Sequence, residues 1–183
     1  MLGGRSENPE LWEFLESLRP GENLSGTVAA IERFGVFLAL DDGPGHPAFA
    51  GVGFITLPEL SWRRFDDVLD VVHIGLRVSC IFLQFDTTNL EARLSLRATQ
   101  PDPFEAFASH TALGQELMGP VTNIIPFGVF IQVADSVEGF VLTRDLTRVH
   151  REALDNALKV GDELAVVVTD IDRERRTLKL AFR

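Results

Sequence analysis

Two four-residue segments carry the side chains with the clearest chemistry, Phe34-Gly35-Val36-Phe37 and Phe127-Gly128-Val129-Phe130. If Val129, Ile131 and Val133 face a core along a strand, the alternation turns Phe130 outward with Gln132. Gly128 is then expected to supply the bend or bulge that brings Phe127 beside it. Paired rings on an outer surface offer flat apolar faces on which a nucleobase can stack, each stack contributing about 1–3 kcal/mol. The alternative is that one or both rings pack under a neighbouring loop or helix. A second cluster is cationic. Arg173-Glu174-Arg175-Arg176 follows Asp172, and Lys179 and Arg183 hold outward positions of the last alternating segment. Such groups can meet phosphates or lie on bases, unless the run is simply a solvated turn.

Other chemistries find no constellation. His46, His73, His110 and His150 are scattered without the convergence that a metal site needs. Asp170-Ile171-Asp172 resembles half a metal motif, but Gln84-Phe85-Asp86 stands at the matching place, so the pair reads as strand-end geometry. The sequence has no Gly-rich phosphate loop, nucleophile elbow or Cys/His arrangement. It therefore predicts a protein without catalysis, metal or cofactor.

These residues sit in a chain that repeats itself. At an offset of 93, the stretch from Gly21 to Phe37 matches Gly114 to Phe130 at nine positions, among them both aromatic segments. A seven-residue surplus within Asp41–Val52, containing Gly43-Pro44-Gly45-His46-Pro47, shifts the offset to 86. Gly53-Phe54 then meets Gly139-Phe140, Gly75 meets Gly161 and Asp86 meets Asp172. Each copy follows a short helical signal, one opening at Asn8-Pro9 with Leu11, Trp12, Leu15 and Leu18 on one side. The other opens at Asp102-Pro103 with Phe104, Phe107 and Ala108. Within each copy the apolar period is two, which predicts five short strands. A helical stretch is expected between the third and fourth, over about Arg64 to Val72 and Arg148 to Leu158. Trp12 and Trp62 read as packing residues. The fold class expected is mainly β, two tandem five-stranded barrels of the oligonucleotide-binding (OB) type, each preceded by a short α-helix. The domains are expected at 1–100, the more diverged copy, and 101–183.

The order G-x-V-x-x-I-x-x-F-G-V-F, then G-F, then V/I-G, then an Asp-led turn closing on a short apolar strand resembles the S1-type RNA-binding domain. Gly119 to Phe130, Gly139-Phe140, Val160-Gly161-Asp162 and Asp172 to Arg183 carry the likeness, and the two copies span nearly the whole chain. The resemblance implies a barrel that binds single-stranded RNA through the two Phe, a His, the Asp and an Arg. In the second copy these are Phe127, Phe130, Asp172 and Arg176, with Lys179 in support, but Leu142 stands at the His position. In the first, Phe34, Phe37 and Asp86 remain, whereas Thr56 replaces the His and Leu90 the Arg, the pattern of an eroded binder. The partners implied are mRNA or rRNA and the ribosome, in translation or RNA metabolism.

Composition restrains this reading. The chain of 183 residues has 45% apolar residues, enough for a core, and a formal charge of −10. An acidic chain repels polyphosphates at long range, so RNA contact depends on local cations. The same charge fits a second reading, an acidic adaptor or inhibitor that binds a basic protein surface. The single Cys80 lies in an apolar run, as a buried thiol in a reducing compartment would. No apolar run reaches the roughly 18 residues that cross a bilayer, and Met1 to Glu7 lacks a signal-peptide core, so a cytoplasmic location without a membrane partner is expected.

Overall fold

A computed structural model describes residues 4–142 and 158–183. The chain divides into two compact units, Met1–Pro101 and Asp102–Arg183. The first contains helix α1 (Pro9–Ser17) and strands β1 (Asn23–Glu32), β2 (Gly35–Leu40), β3 (Gly53–Thr56), β4 (Arg77–Asp86) and β5 (Glu91–Ser95). The second repeats this with α2 (Pro103–His110), β6 (Glu116–Ile125), β7 (Gly128–Ala134), β8 (Val137–Leu142), β9 (Glu163–Asp172) and β10 (Thr177–Phe182). Each set of five closes into a barrel, in the order β1-β2-β3-β5-β4 and, with the same connectivity, β6-β7-β8-β10-β9. Pairing is antiparallel except at β3–β5 and β8–β10. Closure leaves no open edge with unpaired backbone groups.

The alternating apolar residues fill the two interiors. Val28, Val36, Leu38, Ile55, Cys80, Phe82 and Leu94 form the first core, joined by Leu11 and Leu15 from α1. Val121, Val129, Ile131, Val141, Val166, Val168, Leu178 and Leu180 form the second, joined by Phe104 and Ala108 from α2. Each buried Val, Leu, Ile or Phe among them contributes about 1.5–3 kcal/mol when it leaves water. Burial also fixes the state of Cys80, whose thiol is pushed up to about 12 by desolvation. Trp12 and Trp62 pack within the first unit, Trp12 edge-on to Phe85 and Trp62 beneath the guanidinium of Arg97.

The helices start differently. The Asp102 carboxylate accepts hydrogen bonds from the backbone N–H groups of Phe104 (2.9 Å) and Glu105 (3.4 Å), satisfying donors that the first helical turn leaves over. Asn8 makes no such side-chain bond, and Pro9 alone presets the start of α1. Gly75 and Gly161 occupy one place in the repeat with φ of +87° and +98°. Their N–H groups bond the carbonyls of Val28 and Val121 at 2.8 Å, which locks the turn before the fourth strand onto the first.

Three expectations are corrected. No α-helix spans Arg64 to Val72; the connection holds 3-10 turns at Leu57–Glu59 and Val68–Asp70. There the Asp67 side chain captures the Leu69 N–H, and the β-branched Val68, Val71 and Val72 disfavour a longer helix. The counterpart over Arg148 to Leu158 lies, apart from Leu158, outside the described residues, as does His150. Gly128 forms no bulge, because β7 pairs in regular register from Gly128 to Gln132; the shifts fall between Val121 and Asn123 and between Gln132 and Ala134. The latter shift also explains why Val133 is half-buried instead of a core residue.

Candidate nucleic-acid interface

Register gathers the outward side chains into a row across each barrel. In the second, Asn123 lies opposite Phe130, Phe130 opposite Phe140, Phe140 beside Lys179, and Lys179 opposite Asp170. In the first, the same places hold Ala30, Phe37, Phe54, Arg93 and Gln84. Phe127 and Phe34 join these rows from the turn that precedes the second strand. The ring of Phe140 sits 4.7 Å from that of Phe130 and 6.2 Å, edge-on, from that of Phe127, so three phenylalanines form one cluster.

The glycine between the paired rings now has a reason. A Cβ on Gly128 would collide with the Phe140 ring and come within 2.6 Å of the Val141 carbonyl; at Gly35 it would meet the Phe54 ring. The tip of the third-strand phenylalanine ring fills the space over this glycine, so the F-G-V-F spacing and the G-F pair encode one structural unit. Sequence reasoning matched Gly139-Phe140 to Gly53-Phe54 without assigning the rings to the site. The alternation of Phe140 against Gly139 and Val141 would have pointed it outward.

Exposure separates the barrels. Phe127 is 61% exposed, and Phe130 and Phe140 are half-buried. Phe34 is 55% exposed, but Phe37 is only 4% exposed, in contrast to the outward, open ring expected for it. The cause is the surplus loop, whose Phe49 stacks on Phe37 with centroids 4.9 Å apart and 21° between the planes. Over Phe54 the guanidinium of Arg93 stands 4.7 Å from the centroid. Neither Phe49 nor Arg93 was singled out in the sequence.

The cations of the second unit have acidic neighbours. Lys179 donates to Asp170 at 2.7 Å, and this bond with its charge holds the exposed Asp170 carboxyl below its ordinary range. Arg176 pairs with Asp102 and lies 5.3 Å from the Phe104 centroid, so the structure ties it to the start of α2. Burial alone would raise the Asp102 carboxyl, but the bond from Arg176 and the two helix N–H groups hold it low. Arg173 reaches Glu105 and the carbonyl of Ala108, and Arg183 reaches Glu116. Asp172 accepts the N–H of Arg175 at 2.9 Å, which closes the β9–β10 turn. Asp86 plays that part in the first barrel, and there burial would raise its carboxyl while Arg93 and the backbone of Asn89 and Thr88 lower it. Leu142 and Thr56, at the His position, are half-buried strand ends. Among the described residues no group of three His, Cys, Asp or Glu could hold a metal ion, and no helix is long and apolar enough to cross a membrane.

Two closed five-stranded barrels in tandem, each with an aromatic row on its outer face, define a protein of the OB-fold class. The comparisons with known proteins narrow this further. The chain belongs to the S1 RNA-binding domain family, whose model matches residues 17–97 and 111–183. It is 38% identical to the small ribosomal subunit protein bS1 of Mycolicibacterium smegmatis over 93% of its own length and 34% of the relative's. To the bS1 of Pseudomonas aeruginosa it is 29% identical over 92% of its length and 29% of the relative's. The chain thus spans about a third of the curated relatives it matches. Among solved structures, an uncharacterised protein of Methanocaldococcus jannaschii aligns with 40% of this chain and 93% of its own at 32% identity and a TM-score of 0.35. A chain of the a/eIF2alpha-aDim2p-rRNA complex of Pyrococcus horikoshii aligns with 50% of this chain and 52% of its own at 25% identity and a TM-score of 0.40.

Proposed function

We propose that this protein binds single-stranded RNA, mRNA or rRNA, chiefly through its second barrel and in association with the ribosome. The observation that carries the reading is the row Phe130, Phe140 and Lys179 on adjacent strands, extended by the open ring of Phe127. Unpaired bases stack on the rings, and Lys179 exchanges Asp170 for a phosphate. Exposed ion pairs of this kind are weakly held in water, so the exchange costs little. Asp172 and Arg176 shape the neighbouring turn and fasten α2, and the reading gives them a supporting place. Membership of the S1 family and similarity to bS1 proteins support the RNA and ribosomal context. No catalytic step is assigned.

The test is fluorescence anisotropy with a labelled single-stranded RNA of about ten nucleotides, within the site size of an OB fold. Phe127→Ala/Phe130→Ala removes two stacking faces worth about 1–3 kcal/mol each and should weaken binding at least about thirty-fold. The salt dependence should be shallow, near −0.7 in log–log slope for each phosphate met. Wild-type-like affinity in the double variant, or no binding by the wild type, would refute the reading and favour an acidic adaptor for a basic protein.

A further inference from the structure

We propose that the Asp41–Val52 loop is a plug built into the first barrel. Phe49 occupies the face of Phe37 on which a base would stack, and the barrel accepts single-stranded RNA only when the loop is displaced. The inference rests on the RNA-binding reading above and adds to it a regulated second site.

The geometry imitates a bound base. Phe49 lies nearly parallel to Phe37 at 4.9 Å, and His46 in turn stacks on Phe49 at 4.7 Å and 23°, so the loop adds two near-parallel rings to Phe37. The stack is fastened at its outer end. Nδ1 of His46 accepts the N–H groups of Ala48 (3.1 Å) and Phe49 (2.9 Å), which leaves Nε2 to carry the proton. Nε2 donates it to the carbonyl of Asn89 in the β4–β5 turn, at 2.9 Å. The loop thereby spans from β2 across the aromatic row to the turn beyond it. Pro44 and Pro47 reduce the freedom it loses by doing so.

The other ring of the row is covered as well. Arg93 stands over Phe54, pinned by Asp86 at 2.6 Å and by the buried Glu91 at 3.3 Å. The second barrel carries none of these devices at the matching places. Its second and third strands join through Asp135-Ser136 alone, Lys179 replaces Arg93 and is drawn to Asp170, and Phe130 has the platform ring Phe140 as its aromatic neighbour.

The experiment uses the full chain and the same labelled RNA. The Phe127→Ala/Phe130→Ala background disables the second barrel, and adding Phe49→Ala should restore binding by about five-fold or more, the value of one modest stack. Adding Phe37→Ala as well should abolish the gain. A wild-type chain that binds no RNA overturns the parent reading. A wild type that binds, with a triple variant no better than the double, overturns the plug alone. Circular dichroism checks that the triple variant is folded. If it is not, His46→Ala, which keeps Phe49 but removes its fastening, carries the test in its place. It should give the same gain, and an absence of gain refutes the plug.

Discussion

The Phe140 ring occupies the space a side chain at Gly128 would need, so Gly128→Ala should displace it. A methyl there would lie inside the contact distance of the Phe140 ring and 2.6 Å from the Val141 carbonyl, against about 3.5–4.0 Å for an unstrained contact. The ring must retreat by roughly 1–2 Å and the β7–β8 ladder must spread as well, so overpacking should cost about 1–3 kcal/mol. For a unit of this size that is a fall in melting temperature of roughly 5–20 °C. The two tryptophans, Trp12 and Trp62, both lie in the first unit, and the chain has no tyrosine. The loss should therefore appear in far-ultraviolet circular dichroism while the tryptophan fluorescence transition stays in place; Gly35→Ala, against Phe54, should move the fluorescence transition. The decisive arm is a double-mutant cycle. With Phe140→Ala present, Gly128→Ala no longer meets the ring, and its cost should fall by at least about 1 kcal/mol. An equal cost in both backgrounds would show that the glycine serves something other than the ring.

Two further outcomes follow from the second helix and from the core. Asp102→Ala removes both the cap of α2 and an ion-pair partner of Arg176, and should destabilise the second unit by about 1–2 kcal/mol in urea unfolding followed by circular dichroism. Because the folded Asp102 carboxyl is held below its unfolded value near 3.9, its contribution is complete above that pH. The gap between wild type and variant should stay level from pH 7 to 5 and narrow as pH falls below about 4; a gap that widens there contradicts the assignment. Cys80, fully buried with its thiol pushed up to about 12, should react with a disulfide reagent at pH 8 only at the rate of unfolding; rapid labelling of the native chain would contradict its place in the core.

The match of the two copies made the architecture legible. A period-two alternation with glycine turns at equal places leaves few ways to bury both sets of apolar residues, and a five-stranded barrel is one that also hides its edges. The apolar spacing of Arg64 to Val72 is compatible with a helical turn, which is why the sequence predicts one there. The side-chain cap of Asp67 and three valines settle the local competition in favour of a 3-10 turn. At Gly128 the sequence shows that a side chain is missing but not that the Phe140 ring fills the space.

The sequence by itself determined that two barrels would form, because alternation and repetition are local properties of the chain; it left open whether the Phe127 ring is exposed or covered, and the structure exposes it. Only the tertiary structure decided which rings meet. Strand register sets Phe140 between Phe130 and Lys179, and a loop fastened through His46 folds Phe49 back onto Phe37. Both depend on the pairing of residues distant along the chain, whose contact arises when the barrel closes.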